Sequence, residues 1–171
     1  MKRLVALLTV SLFFFTSKAQ TMNDLNKRIT ELEDRVAIKN VVDTFSILAD
    51  TKEIDKQVLL FTEDAEVGSR TNGQSMVIKG RDQLKQAFSG FLANFHTVYH
   101  QNGQQTISLN GDRAEAVSYC RVILVGKQND KEMKTTFYVV YKDSFVKQNG
   151  KWLIKHRFSD FVWTETTPTG Q

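Results

Sequence analysis

The stretch TVYHQNGQQTISL, residues 97–109, marks a change from helical to two-residue spacing of the side chains. Three further runs have this strand-like spacing, and turn residues separate them. The runs are AEAVSYCRVILV (114–125), TTFYVVYKDSFV (135–146) and KWLIKHRFSDFVW (151–163). Turns such as Asn149-Gly150 join neighbouring antiparallel strands. The sequence therefore predicts a meander of about four long antiparallel strands.

Upstream of this stretch the apolar residues recur at helical spacing, and residues 22–49 are predicted to be helical. Leu25, Ile29, Leu32 and Val36 are spaced by four, three and four residues. This seam is heptad-like but too short to predict a coiled coil. A second stripe begins at Ile38 on another side of the helix, which either two helices or one bent helix would explain.

A short helix at 56–61 and an amphipathic helix in GRDQLKQAFSGFLANF (80–95) complete the predicted helices. The aromatic stripe of the second helix, which includes Phe88, indicates core packing rather than a cofactor site. Two short strands, AEV (65–67) and SMVIKG (75–80), flank the turn-rich SRTNG (69–73). Helices come first and strands last, so the predicted class is α+β with the helices on one face of a curved sheet.

The first 19 residues are typical of an export signal. Lys2 and Arg3 precede an apolar run from Leu4 to Phe15, and the small residues Ser17 and Ala19 suit a signal peptidase. We predict cleavage after Ala19 and a periplasmic or secreted protein. The alternative is an N-terminal membrane anchor, but the run is short for a span of about 20 residues and no lipid-accepting Cys follows it.

Charge and cysteine content exclude several classes of function. The leader carries three basic residues and no acid, so its removal lowers the formal charge from +4 to +1. No block of Lys and Arg remains, and we exclude nucleic acid as a partner. Cys120 is alone, which excludes an internal disulfide and a cysteine-based metal site. The alternation around it indicates a buried thiol in a strand.

Three blocks of the sequence resemble the SnoaL-like branch of the nuclear transport factor two-like superfamily. They are LEDRVAIKNVVDTFSILAD (32–50) with LLFTEDAEV (59–67), IKGRDQLKQAF (78–88), and HQNGQQTISLNGDRAEAVSY (100–119) with NGKWLIKHRF (149–158). The resemblance implies a cone in which a bent antiparallel sheet wraps the N-terminal helices around a deep apolar pocket. It also implies one domain over residues 20–165 and a homodimer formed through the outer face of the sheet. The polar terminal residues 166–171 predict a loose tail.

The same resemblance implies two catalytic candidates, because Asp50 and His100 match positions where many relatives have a pocket aspartate and histidine. Such a pair lets the carboxylate fix the imidazole tautomer while the other ring nitrogen removes a proton. Relatives often have Tyr where this chain has Phe45, and that change removes a hydroxyl. The predicted ligand-binding residues are Phe45, Phe88, Tyr119, Phe137 and His156.

Each candidate also has a structural interpretation. Asp50 lies about 140° around the helix from Phe45, so a helix covered on one face alone would expose it to water. Ile47, also opposite Phe45, is the sequence feature that suggests cover on a second side. The structural interpretation of His100 is a strand histidine whose ring nitrogens are hydrogen-bonded to neighbouring groups. His156 shares its predicted face with apolar residues and suits the core.

No cofactor or metal is predicted. The three histidines are scattered without ligand spacing, and the sequence has neither a glycine-rich phosphate loop nor a GxSxG motif. His96, at the end of its predicted helix, has a structural role near the helix dipole. Two functions remain open: an exported enzyme performing isomerisation, dehydration, cyclisation or hydrolysis on a hydrophobic small molecule, or a non-catalytic module that binds a hydrophobic ligand or another protein.

Overall fold

A computed structural model of the 171-residue chain describes residues 2–71 and 74–169, with side chains described for 20–70 and 75–169. The predicted leader therefore lies outside the described side chains. Asn72 and Gly73 of the predicted turn lie outside the described residues. The chain divides into two compact units, Met1–Val36 and Ala37–Gln171.

The helices match the predicted pattern with changes at their ends. α1 runs without a break over Lys2–Asp50, and α3 covers Arg81–Leu92. Between them, α2 (Ile54–Gln57) continues into a 3₁₀ turn at Val58–Leu60, so the predicted helix at 56–61 begins earlier and stops before Phe61. Within the described part of the chain, no helix is long and apolar enough to cross a membrane.

The described residues form six strands: β1 Phe61–Thr71, β2 Gln74–Lys79, β3 Thr97–Asn110, β4 Arg113–Gln128, β5 Lys131–Gln148 and β6 Lys151–Pro168. They form one unclosed sheet in the order β2-β1-β6-β5-β4-β3. The predicted meander of four long antiparallel strands is confirmed as β3 to β6. The sheet as a whole is mixed rather than purely antiparallel, because β1 pairs in parallel with β6. The α+β class is confirmed.

Residues 166–168 continue the sheet, where a loose tail was predicted. β6 extends to Pro168, and Thr166 and Thr167 pair with Thr135 and Lys134 of β5. β-branched threonines suit a strand. Proline, which has no N–H to donate, is tolerated at the strand end.

The core of the second unit lies between the last turns of α1 and the sheet. Ile38, Val42, Phe45 and Ala49 form the buried face of α1, at spacings of four, three and four. On each strand of the sheet every second side chain points into the core, as Val122 and Leu124 do on β4. Local shifts in register between Asn102 and Gln105 and between Ser144 and Phe145 interrupt this alternation. Such bulges bend a strand and change which side chains point inward.

Gly126 provides a first test of this packing. A Cβ at this position would collide with the Asn94 carbonyl oxygen and would lie 3.1 Å from Phe95 Cα, so the loop after α3 needs the missing side chain. We expect Gly126→Ala to lower the free energy of unfolding by about 1–3 kcal/mol in urea denaturation.

Gly90 of α3 is the matched control, because a Cβ there would meet nothing within 4 Å. Gly90→Ala should raise the free energy of unfolding by about 0.5–1 kcal/mol, since alanine favours a helix over glycine. Equal effects of the two substitutions would contradict the close approach at Gly126.

Candidate active site

The end of α1 meets β3 through a carboxylate and an imidazole. Asp50 Oδ1 lies 2.7 Å from His100 Nδ1. The backbone N–H of His100 also donates to the same carboxylate, at 3.0 Å to Oδ1 and 3.2 Å to Oδ2. The side chains are 24% exposed for Asp50 and 7% for His100. Asp50 and His100 thus form a fixed, largely buried pair at the predicted positions.

A polar seam on α1 explains why Asp50 points at the sheet. Asp43, Ser46 and Asp50 are three and four residues apart and share one side of the helix, next to its buried apolar face. Asn102 of β3 accepts a hydrogen bond from Ser46 Oγ at 3.1 Å and donates to Asp43 Oδ1 at 2.9 Å. The predicted cover over Ile47 is wrong, because Ile47 is 60% exposed. The helix is covered by β3 along its polar seam instead.

An apolar cavity of about 140 Å³ lies beside this pair. Phe45, Phe88 and Phe137, three of the predicted ligand-binding residues, line it together with His100. The other lining residues are Ala49, Gln57, Val67, Phe91, Leu92, Val122, Leu124, Tyr141, Arg157, Ser159 and Phe161. Most of these side chains are apolar, so the cavity favours a mainly hydrophobic molecule.

Phe45 lies at the centre of the aromatic wall. Its ring centroid is 6.0 Å from that of Phe88, 6.3 Å from Tyr141 and 6.4 Å from His100, all in edge contacts. Edge-to-face geometry is favourable for such rings. Burial raises the pKa of Tyr141, so its phenol is protonated at neutral pH.

A buried ion pair, which the sequence interpretation missed, lies against the same wall. Arg157 donates from Nε to Asp143 Oδ1 at 2.8 Å and from Nη2 to Oδ2 at 2.7 Å. The two side chains are 1% and 0% exposed. The guanidinium carbon lies 4.3 Å from the Phe45 ring centroid and 4.4 Å from that of Tyr141. Burial opposes the charge of Arg157, but the carboxylate of Asp143 outweighs it and raises the arginine pKa.

Two polar atoms beside the cavity have no partner among the described residues. Arg157 Nη1 is a buried donor that Asp143 does not use, and Gln57 Oε1 is a buried acceptor. Gln57 is held by its Nε2, which donates to the Phe45 carbonyl at 3.0 Å. Unsatisfied buried groups are costly, and a bound molecule carrying an acceptor and a donor would satisfy both.

Tyr119 does not line this cavity, which corrects its predicted role. Its neighbours Ser118 and Cys120 are buried, whereas Tyr119 is 54% exposed. Alternate residues of a strand point to opposite faces, so Tyr119 lies on the outer face of the sheet.

His156 also lies outside the cavity, and a bulge explains why. Phe145 pairs with Ile154 but Ser144 pairs with His156, so Lys155 is an extra residue. The inward positions after the bulge are those of Arg157 and Ser159, and the His156 side chain is 55% exposed. Its Nε2 lies 3.2 Å from Glu66 Oε2.

The remaining candidates offer no second reactive centre. Burial raises the pKa of the Cys120 thiol to about 12, so it is not a nucleophile at neutral pH. His96 lies 2.9 Å from Glu132 and is exposed. In the described ranges, no group of three or more His, Cys, Asp or Glu side chains could hold a metal ion.

The fold, with helices packed against a curved mixed sheet, and the Asp50–His100 pair beside an apolar cavity can now be compared with known proteins. The SnoaL-like domain model matches residues 30–158, and this chain belongs to that family.

Solved structures agree with this assignment. A protein of Novosphingobium aromaticivorans, provisionally named a scytalone dehydratase, is 25% identical with a TM-score of 0.71, over 83% of this chain and 91% of its own. A nuclear transport factor two-like protein from the same organism, described as having a cystatin-like fold, is 21% identical with a TM-score of 0.60, over 81% and 88%. A hexachlorocyclohexane dehydrochlorinase is 15% identical with a TM-score of 0.68, over 82% and 91%. The last two show likeness of fold alone.

Proposed function

We propose that this protein is an enzyme that removes a proton from a small hydrophobic molecule, with His100 as the base and Asp50 as its positioning partner. The carboxylate accepts the Nδ1–H hydrogen bond, which leaves Nε2 unprotonated in neutral imidazole. Nε2 is on the far side of the ring from Asp50, and His100 lines the cavity. The single observation that carries the proposal is the 2.7 Å contact between Asp50 and His100 beside an apolar cavity.

Elimination is the reaction that the charge distribution favours. His100 Nε2 takes a C–H proton, and the electron pair of that bond forms a new double bond. The leaving group departs from the neighbouring carbon with the electron pair of its own bond. Arg157 lines the cavity, and its Nη1 is a buried donor without a partner among the described residues, so we assign it the stabilisation of the developing negative charge. The products are an alkene, the leaving anion and a proton on His100.

The size of the cavity limits the substrate class. At about 140 Å³, the space is close to the ~150 Å³ that holds a benzene-sized molecule and well below typical drug-sized pockets. We propose a substrate with one ring, or a compact branched molecule, that carries a hydroxyl or another leaving group. The name of the Novosphingobium relative refers to a dehydration, which is an elimination of water.

A screen of single-ring alcohols, halides and hydroxy-ketones tests the proposal. Mass spectrometry would detect loss of water or of hydrogen halide for each compound. We expect the wild-type protein to convert at least one compound and His100→Gln to lose that activity by about 10²–10⁴-fold, as expected for a missing general base.

His96→Gln is the matched control, because His96 is an exposed histidine paired with Glu132. It should keep the wild-type rate. Turnover that survives in His100→Gln would refute the base, and binding without turnover of any compound would favour a ligand-binding module.

A second proposal concerns the outer face of the sheet, where we place a homodimer interface. Tyr99, Tyr119 and Trp163 are 54%, 54% and 61% exposed, and Tyr138 lies 5.6 Å from Trp163 between ring centroids. Exposed aromatic residues are enriched at protein interfaces. In a chain that also carries Leu25→Asp and Leu32→Asp, so that the exposed apolar residues of α1 do not associate, Tyr119→Arg should lower the sedimentation-derived mass from that of a dimer to that of a monomer. An unchanged mass would exclude this face.

We also propose that the protein is exported, because residues 1–19 are typical of an export signal. N-terminal sequencing of the protein recovered from its host tests it. A chain that begins at Gln20 supports cleavage, and a chain that keeps Met1 contradicts it.

A further inference from the structure

An apolar stripe on the first compact unit lies open to solvent. Met22, Leu25, Ile29, Leu32 and Val36 are between 44% and 63% exposed. Their spacings of three, four, three and four residues are those of the a and d positions of a heptad. We call these five residues the heptad seam. It places Met22, Ile29 and Val36 at a and Leu25 and Leu32 at d.

The types of residue in the heptad seam specify a partner. β-branched residues at a and leucine at d favour two parallel strands. Ile29 and Val36 are β-branched at a, and both d positions are leucine. The positions outside the seam are polar or charged, so the segment is amphipathic on one narrow stripe.

Charges beside the heptad seam fit the same arrangement. Arg28 is a g residue and Glu33 is the following e residue, the two positions that meet across a parallel coiled coil. Two-fold symmetry would form this ion pair twice. An antiparallel pair would instead bring Arg28 towards Arg35 of the other copy, which is a repulsive contact.

We infer that residues 22–36 pair with the same segment of a second copy of this chain as a parallel, in-register, two-stranded coiled coil. Between Gln20 and Val36 the helix carries three basic and four acidic residues, so it lacks the basic face of a helix that lies on an anionic membrane. Five seam residues are few for a coiled coil that stands alone, so we expect reversible pairing controlled by protein concentration. This pairing is independent of the proposed chemistry.

Cysteine cross-linking tests the pairing and its direction. The full-length chain would be expressed with its own first 19 residues and purified as the cell processes it. Under mild oxidation, Leu25→Cys and Leu32→Cys should each form a disulfide-linked dimer. Lys27→Cys is the matched control, because residue 27 lies on the outer side of the helix. It should form at least about tenfold less disulfide-linked dimer.

The two cysteine variants together distinguish the orientations. In an antiparallel pair a residue faces its own copy at one level of the helix only, so at most one of two positions seven residues apart can cross-link. Cross-linking of neither variant, or of one alone, would overturn the proposal. If a membrane or an unrelated protein covered this face instead, neither variant would cross-link.

A charge exchange supplies a second readout that does not need a cysteine. In the Tyr119→Arg background, which removes the proposed pairing of the sheet face, Arg28→Glu and Glu33→Arg should each weaken the self-association measured by sedimentation by roughly threefold, and combining the two should restore the constant of that background. Leu25→Asp with Leu32→Asp should weaken it by at least about 100-fold. Failure of the double charge variant to recover, or an unchanged constant in the leucine variant, would overturn the proposal.

Discussion

Asp50→Asn should reduce turnover by about 10²–10⁴-fold while the protein stays folded. The new amide would keep an oxygen for the His100 backbone N–H but would present N–H donors to Nδ1. Neutral His100 would then carry its proton on Nε2, which could no longer accept one from the substrate. The measurement is kcat on a compound identified by the elimination screen, with circular dichroism to verify the fold.

Asp43→Asn is the matched control for this result. Asp43 lies on the same polar seam of α1, where it pairs with Lys39 and accepts a hydrogen bond from Asn102 instead of from a histidine. Its replacement should leave kcat within about threefold of the wild-type value. Equal losses in the two variants would mean that the polar seam supports the structure and that Asp50 has no special role.

Asp143→Ala should lower the free energy of unfolding by about 3–5 kcal/mol. The change would leave the guanidinium of Arg157 buried against Phe45 and Tyr141 without its carboxylate. A buried charge without a partner is much more costly than the loss of one hydrogen bond. Urea denaturation of the two proteins measures the difference.

An exposed pair controls for the general effect of removing a carboxylate. Asp160 lies 3.3 Å from Lys142 at the surface, and Asp160→Ala should cost less than about 1 kcal/mol. Replacing the buried pair by two apolar residues, Asp143→Leu with Arg157→Met, should recover most of the lost stability. A small effect of Asp143→Ala would contradict the buried ion pair.

Local patterns predicted the helices and the four long strands, because spacing and turn chemistry act over few residues. Asn149-Gly150 starts a hairpin whose first pairs, such as Val146 with Leu153, follow directly from the turn. The parallel pairing of β1 with β6 joins segments far apart in sequence, and no local pattern encodes it.

A single bulge explains the main error at the site. Continued without interruption, the register of the β5–β6 hairpin would place Asp143 opposite His156. The extra residue Lys155 shifts the ladder by one, so Arg157 faces Asp143 and His156 points outward. One extra residue in a strand turns the following inward side chains outward and the outward ones inward. The alternation of apolar and polar residues in the sequence does not predict where such a residue lies.

Asp50 shows a different limit of the sequence pattern, because the helix wheel does not include contacts with other elements. The wheel places Asp50 away from Phe45, and the structure agrees that it is not on the apolar face. It is partly buried because β3 covers the adjacent polar seam through His100 and Asn102. The helix pattern could not include this cover, since β3 begins 47 residues later at Thr97.

The tautomer of His100 tests the central claim most directly, and it requires no substrate. Nitrogen-15 NMR of labelled protein at pH 8 distinguishes a protonated from an unprotonated ring nitrogen. We predict a proton on Nδ1 and none on Nε2 in the wild-type protein, with the proton moving to Nε2 in Asp50→Asn. A wild-type His100 with its proton on Nε2, or the same tautomer in both proteins, would contradict the proposed role of Asp50.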